Sequence, residues 1–184
     1  MKSTHFYLPK SLHEKLVPVY SYDENKKISM GENNPLTDFA NNFPKMEDNN
    51  HYAGGGGASG STMDYTVFLQ ALLNGGIYNG KRILSRKTIE VMTADQMIDL
   101  NKKGTGYDAA GFTFGLGFAV KTEEGIADSH KSPGTYQWGG YFNTKFFIDP
   151  EEELIFVGMT QIVPFYRPDF WDKMYAIIYG SIDD

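Results

Sequence analysis

The 184-residue sequence contains no cysteine, so it can form neither disulfides nor thiolate metal sites. Positive charge is also scarce: 17 lysine and arginine residues are outnumbered by 23 aspartate and glutamate residues, which gives a net charge of −6. This balance disfavours sequence-independent binding to nucleic acid or to an anionic membrane surface. No apolar run is long enough to span a membrane, and no signal-peptide core follows Met1. The compartment stays undetermined on these grounds.

Metal, phosphate and cofactor sites have no support in the pattern of residues. The four histidines show no His-x-x-x-His spacing, and no carboxylate pair accompanies two of them on one predicted helix face. The glycine run 54–57 is not followed by the Lys-Ser/Thr pair of a phosphate-binding loop. We therefore expect no metal ion and no cofactor.

A hydrophobic content of 41%, with 15% aromatic residues, is enough for one domain-sized core, and we expect a single domain over residues 1–184. Residues 31–57 are polar and rich in turn-forming residues, which predicts one long loop within it. Ser61 or Thr62 is placed to cap one helix, and Ser85 to cap a second.

Later elements follow from apolar spacing. The run Phe112–Val120 predicts one strand, with close packing or a bulge at its glycines. Asp169 is expected to cap a terminal helix, whose apolar side carries the residues Phe170, Met174, Ile177 and Ile178.

The most informative stretch is Gly134–Pro150, which is followed at once by the apolar run Leu154–Met159. It predicts two strands joined by a turn at residues 149–152, with the pair Gly139-Gly140 interrupting the first strand. A glycine pair weakens a strand, and its usual justification is that something lies close against the backbone. A substrate is one such neighbour.

Together with the segments Gly54–Phe68 and Leu73–Ser85, this stretch resembles the C-terminal portion of the serine β-lactamase, D-Ala-D-Ala carboxypeptidase and esterase family. The members of this family are class C β-lactamase-like and penicillin-binding-protein-type serine hydrolases. The resemblance implies an α+β fold in which an antiparallel sheet is flanked by helices. It also implies that residues 31–57 wrap around the active site, whereas a disordered surface excursion is the alternative.

Enzymes of this family attack an acyl carbon with the serine of a Ser-x-x-Lys motif, assisted by a Tyr-x-Asn or Ser-x-Asn motif and by a third motif on a core strand. No Ser-x-x-Lys occurs in this sequence. Tyr141-Phe142-Asn143 matches Tyr-x-Asn formally, but we interpret it as a chance match on the third-motif strand. The resemblance places Trp138-Gly139-Gly140 at the third motif.

The segment Met1–Phe6 resembles the family segment that follows the second motif. We therefore expect the fold to lack its nucleophile-bearing N-terminal part, as in a truncated gene product or a deliberately shortened chain. The family consists of enzymes, whereas this chain lacks the catalytic nucleophile.

The resemblance assigns roles to four residues. The backbone N–H of Tyr141 would be one donor of the oxyanion hole, and Gly139 and Gly140 would let a substrate lie against the strand. Trp138 stands where relatives commonly have a lysine that attracts a carboxylate. Because an indole offers an apolar wall, the parent activity leans towards an esterase or a broad peptidase-like hydrolase.

Two hypotheses follow. The chain is the incomplete C-terminal part of a serine hydrolase, inactive alone, or it is a non-catalytic binding or interaction module that keeps part of the fold. Its expected partners are a small acyl substrate or peptide, and either a missing N-terminal segment or a second copy of itself. Relatives are mostly exported to the cell envelope.

Overall fold

The structure is a computed structural model that describes residues 1–23, 25, 27–29, 35–46, 51–98, 111–124, 130–164, 167 and 169–183. Its helices are α1 (Pro35–Asn42), α2 (Thr62–Leu73), α3 (Arg86–Met92) and α4 (Asp169–Tyr179), with 3-10 turns at Lys10–Lys15 and Phe43–Lys45. Its strands are β1 (Ser21–Tyr22), β2 (Ile28–Ser29), β3 (Ile77–Tyr78), β4 (Lys81–Arg82), β5 (Phe112–Phe114), β6 (Ala119–Lys121), β7 (Tyr136–Gly139), β8 (Thr144–Asp149) and β9 (Leu154–Met159).

The chain divides into two compact units. The first comprises Met1–Thr66, Gly139–Thr144 and Val157–Tyr166, and the second comprises Val67–Trp138, Lys145–Phe156 and Arg167–Asp184.

The largest sheet has five strands in the order β5-β6-β7-β8-β9. Strands that are neighbours in the sheet are also neighbours in sequence; short turns join β5 to β6, β7 to β8 and β8 to β9, and residues 122–135 join β6 to β7. In the antiparallel pairs β5–β6 and β6–β7, Val120 lies opposite both Thr113 and Tyr136. The last four residues of β8 are all buried, which makes this strand the centre of the core of the second unit.

Helix α4 packs on the sheet through aromatic rings of the second unit. Tyr175 makes edge-to-face contacts with Phe147 and Phe156, each with ring centroids 5.4 Å apart. Trp171, one turn earlier on the helix, contacts Phe156 at 5.9 Å and is buried. Residues four apart share a helix face, so the aromatic pair defines the packed side of α4.

The predicted apolar side of this helix was therefore wrong in part. Phe170 is 37% exposed and Ile177 is 68% exposed. The prediction chose Phe170 with Met174, Ile177 and Ile178 and did not weigh the larger apolar area that a buried tryptophan and a tyrosine contribute.

Two runs that each predicted one strand are hairpins instead. Phe112–Val120 forms β5 and β6 around a turn in which Gly117 has a φ of +96°. The predicted close packing is confirmed at Gly115, where an added Cβ would lie 2.0 Å from the carbonyl oxygen of Met92. Likewise the stretch before Pro150 forms β7 and β8 rather than one interrupted strand.

The interval 31–57, predicted as one loop, contains α1 and the 3-10 turn Phe43–Lys45; residues 31–34 and 47–50 lie outside the described part. Pro35 occupies the first position of α1, where its fixed φ suits a helix and its missing N–H costs nothing. Asn41 near the end of the helix accepts a hydrogen bond from the backbone N–H of Val19 at 2.6 Å. The polar composition concealed this helix from the sequence pattern.

Two of the three predicted helix caps are confirmed, and the third is wrong because Asp169 is the first residue of α4 and not the residue before it. The Ser61 hydroxyl accepts a hydrogen bond from the backbone N–H of Asp64 at 3.1 Å, and the Ser85 hydroxyl accepts one from Thr88 at 2.9 Å. Within the described ranges, no helix combines the length and apolar content needed to cross a membrane.

Candidate active site

The turn that joins β7 to β8 carries most of the predicted site. The Gly140 N–H donates to the Thr144 carbonyl at 2.9 Å, and the Asn143 N–H donates to the Gly140 carbonyl at 3.0 Å. Asn143 has a φ of +61°, in the left-handed region that asparagine tolerates better than most residues. A turn that ends in a left-handed residue is the usual geometry of a three-residue hairpin loop. Gly140 and Tyr141 therefore lie in this turn and not on the predicted strand.

Gly140 is explained by a neighbour within the chain. A Cβ added to Gly140 would lie 2.4 Å from the Thr144 hydroxyl oxygen, far inside contact distance. The glycine pair predicted a close neighbour here, and a substrate was one example of such a neighbour. The structure identifies that close neighbour as the Thr144 side chain.

Tyr141 is at the apex of the turn and is 67% exposed. Its ring contacts Phe142, with centroids 5.5 Å apart. Over the described ranges, the backbone N–H of Tyr141 has no acceptor. The N–H of the first central residue of a β-turn takes no part in the turn's own hydrogen bond, so it is available to a bound anion or carbonyl oxygen.

Contacts within the first unit hold the turn in place. The Asn143 side chain is 8% exposed and donates from Nδ2 to the Thr160 hydroxyl at 3.0 Å. The Thr160 hydroxyl lies 2.9 Å from the Asn143 carbonyl oxygen, to which it donates. The Ile162 N–H donates to the Phe142 carbonyl at 3.3 Å. Asn143 of the formal Tyr-x-Asn match is thus a turn residue.

Trp138 belongs to the second unit and presents an aromatic surface. Its ring meets Phe114 edge to face, with centroids 5.2 Å apart, and the residue is 40% exposed. An exposed indole supported by a second ring can pack against an apolar group, and its N–H can donate one hydrogen bond.

Lys131 and Asp149 are, together with Lys121, the buried lysine and carboxylate side chains described in the second unit. Burial lowers the pKa of Lys131 to about 8, and its ammonium lies 3.8 Å from the centre of the Tyr175 ring. Burial alone would raise the pKa of the Asp149 carboxyl, but hydrogen bonds from Tyr179 and Ser132 outweigh that effect and lower it. Both groups contact the core elements around β8 and α4, so we interpret them as stabilising groups.

The described residues contain no group of three or more His, Asp or Glu side chains that could hold a metal ion. A shallow depression of about 370 Å³ in the second unit is lined by Ser85, Lys87, Thr88, Val91, Met92 and Leu116. It includes none of the predicted site residues.

The family model described as Beta-lactamase matches residues 1–178. The chain belongs to the beta-lactamase family. The resemblance read from the sequence is thereby confirmed.

Among sequence relatives, Protein Rv1367c of Mycobacterium tuberculosis is 26% identical over 170 residues, which are 89% of this chain and 40% of that protein. Among solved structures, Simvastatin Synthase (LovD) from Aspergillus terreus superposes with a TM-score of 0.79 and 17% identity, over 100% of this chain and 48% of that one. EstCE1, a hydrolase with promiscuous acyltransferase activity, superposes with a TM-score of 0.74 and 20% identity, over 98% of this chain and 47% of that one.

At these identities the solved structures establish the fold alone, and they confirm the predicted α+β architecture of an antiparallel sheet with helices. The chain spans 40% of the curated relative and about half of each solved one.

Proposed function

We propose that this chain carries the substrate wall and one oxyanion donor of a β-lactamase-like serine hydrolase, and that it does not hydrolyse acyl compounds alone. The observation that carries the proposal is the backbone N–H of the exposed residue Tyr141, which has no acceptor among the described residues and follows directly after Trp138-Gly139-Gly140. Acyl transfer builds negative charge on a carbonyl oxygen, and a backbone N–H aimed at that oxygen stabilises the transition state by about 3 kcal/mol.

The substrate we propose is an ester or amide with an apolar acyl group, in preference to a β-lactam. Trp138 replaces the cation that would attract a carboxylate, and its contact with Phe114 leaves an apolar surface. The space beside the Gly140 Cα is filled by the Thr144 hydroxyl, so the backbone that a substrate would approach in this proposal is that of Gly139.

The nucleophile must come from outside this sequence, because no serine stands in a Ser-x-x-Lys motif. An unassisted serine hydroxyl is a weak nucleophile at neutral pH. The relatives are longer than this chain, which supports a second segment or chain as the source of the nucleophile. The other partner that we propose is a second copy of this chain.

A fluorophosphonate probe followed by intact-mass measurement tests this. We expect no covalent adduct on this chain, with EstCE1 as the positive control. A stoichiometric adduct on any serine of this chain would contradict the proposal.

The alternative is a non-catalytic binding module, and the missing Ser-x-x-Lys motif favours it equally. The two differ in what is encoded beside this chain. An adjacent or in-frame segment with Ser-x-x-Lys supports the hydrolase, whereas its absence supports the binding module.

A further inference from the structure

The Asn143 and Thr160 side chains form a closed pair of hydrogen bonds across the end of the β7–β8 turn. Nδ2 of Asn143 donates to the Thr160 hydroxyl at 3.0 Å, and that hydroxyl donates back to the Asn143 carbonyl at 2.9 Å, with the Phe142 carbonyl at 3.3 Å. A hydroxyl has one proton to donate, so the shorter contact uses it and its lone pair accepts the amide.

The pair acts on backbone that carries the Tyr141 N–H. Residues 141–143 are the three residues of the hairpin loop. The Phe142 carbonyl accepts from the Ile162 N–H, and the Asn143 carbonyl accepts from the Thr160 hydroxyl. Fixing these two peptide planes removes the freedom of the loop to rotate about its strand ends. The Asn143 N–H shares the peptide plane of the Phe142 carbonyl and donates to the Gly140 carbonyl at 3.0 Å. Because the Gly140 carbonyl shares its own plane with the Tyr141 N–H, the direction of that N–H is set before any ligand arrives.

Asparagine at position 143 is informative because glycine is the residue that a left-handed position favours. Glycine would form the turn equally well and would lack the amide that reaches Thr160. The side chain is also 8% exposed, so the amide serves an internal contact.

We propose that Asn143 and Thr160 are positioning residues that hold the Tyr141 N–H in the direction required to donate to a substrate oxyanion. This inference rests on the proposed function, since it gives a purpose to the rigidity of the turn. Oxyanion donors are effective when they are fixed in advance, because no reorganisation is then needed during the reaction.

Three substitutions separate the contributions. Thr160→Val keeps the shape of the side chain and removes both hydroxyl bonds, whereas Thr160→Ser keeps the hydroxyl. Asn143→Gly keeps the left-handed backbone and removes only the amide contact. The dispersion of the first unit's amide resonances in the ¹H–¹⁵N spectrum checks that each variant is folded.

The first measurement needs no ligand. Backbone ¹⁵N relaxation should give Tyr141 and Phe142 order parameters of about 0.85 in the wild-type chain and in Thr160→Ser, and below about 0.6 in Thr160→Val. Asn143→Gly should lie between them. Equal order parameters in Thr160→Ser and Thr160→Val would overturn the positioning role, and equal values in Thr160→Ser and Asn143→Gly would overturn the part assigned to Asn143.

The second measurement titrates methylphosphonate, a tetrahedral anion, and follows the Tyr141 amide resonance. The wild-type chain and Thr160→Ser should show a saturable shift, and Thr160→Val should need at least about tenfold more probe, which corresponds to about 1.4 kcal/mol. No shift in the wild-type chain would overturn the proposed oxyanion role while the relaxation result still decides the positioning. Equal titrations of wild type and Thr160→Val would overturn the positioning and leave the proposed function standing.

Discussion

Replacing Asp149 by asparagine should destabilise the second unit more than any surface charge change. The Asp149 carboxylate ends strand β8, is fully buried, and accepts four hydrogen bonds. Oδ2 accepts from the Tyr179 hydroxyl at 2.6 Å and from the Ser132 N–H at 3.0 Å. Oδ1 accepts from the N–H groups of Glu151 and Glu152 at 3.2 and 3.4 Å, which closes the turn into β9.

The magnitude follows from the chemistry of the amide. Asparagine keeps one acceptor oxygen, so two of the four donors would face an NH₂ group and lose their acceptor. Hydrogen bonds to a charged group contribute about 1.5–3 kcal/mol each, so two lost bonds cost about 3–6 kcal/mol. Relief of the buried charge offsets part of this cost. We expect the free energy of unfolding to fall by about 2–4 kcal/mol.

Urea denaturation at neutral pH, monitored by Trp171 fluorescence, measures the change. The matched control is Glu152→Gln, which removes the same charge from an exposed position of the same turn and should change stability by less than about 0.5 kcal/mol. A loss below about 1 kcal/mol in Asp149→Asn would refute the reasoning that the four bonds stabilise the fold.

The pH dependence has a defined sign. Because the folded-state pKa of Asp149 lies below its ordinary value of 3.8, its contribution is complete above that value and is lost as the pH falls through the folded-state pKa. The difference between the wild-type chain and Asp149→Asn should therefore be constant from neutral pH to about 5 and should shrink below about 4.

Two further predictions concern Lys131 and strand β9. The pKa of Lys131 is about 8 in the folded chain against 10.5 ordinarily, so the unfolded state binds more protons between these two pH values. The free energy of unfolding should therefore rise by about 1–2 kcal/mol from a pH of about 7.5 to about 9.5. Lys131→Met should lose this rise in urea titrations at both pH values. Among the described strands, β9 lies at an end of the sheet, and we expect it to pair with a second copy, so that sedimentation equilibrium shows a concentration-dependent dimer. In an antiparallel two-fold pair, oxidation of single-cysteine variants along residues 154–159 would form a disulfide only where the cysteine lies beside the two-fold axis. A monomer at all concentrations would contradict the prediction.

Local signals made the starts of α2 and α3 and the β8–β9 turn predictable. Ser61 and Ser85 each satisfy an orphan backbone N–H of their own helix, and that chemistry is complete within four residues. The Asp149 turn is likewise local. In contrast, the face of α4 depends on which rings of β8 and β9 meet it, and a helical period that began at Phe170 could not identify Trp171 and Tyr175.

The β5–β6 and β7–β8 turns were missed for a different physical reason. A glycine within an apolar run fits a bulge, a close backbone approach and a turn alike, and only the neighbouring contacts distinguish these cases. At Gly115 the neighbour is the Met92 carbonyl, and at Gly140 it is the Thr144 hydroxyl. The Asn143–Thr160 contact joins residues 17 positions apart, for which the sequence holds no periodic signal.

The spacing of the formal Tyr-x-Asn match has a geometric explanation within the turn. In a three-residue hairpin loop, the first residue lies at the apex and the third adopts the left-handed conformation, so the two are separated by one position. An aromatic residue at the apex and an asparagine at the left-handed position reproduce Tyr-x-Asn without any catalytic requirement. The same spacing nevertheless matters to the proposed site, because the left-handed residue that ends the loop is also the one whose amide reaches Thr160 and restrains the backbone beside Tyr141.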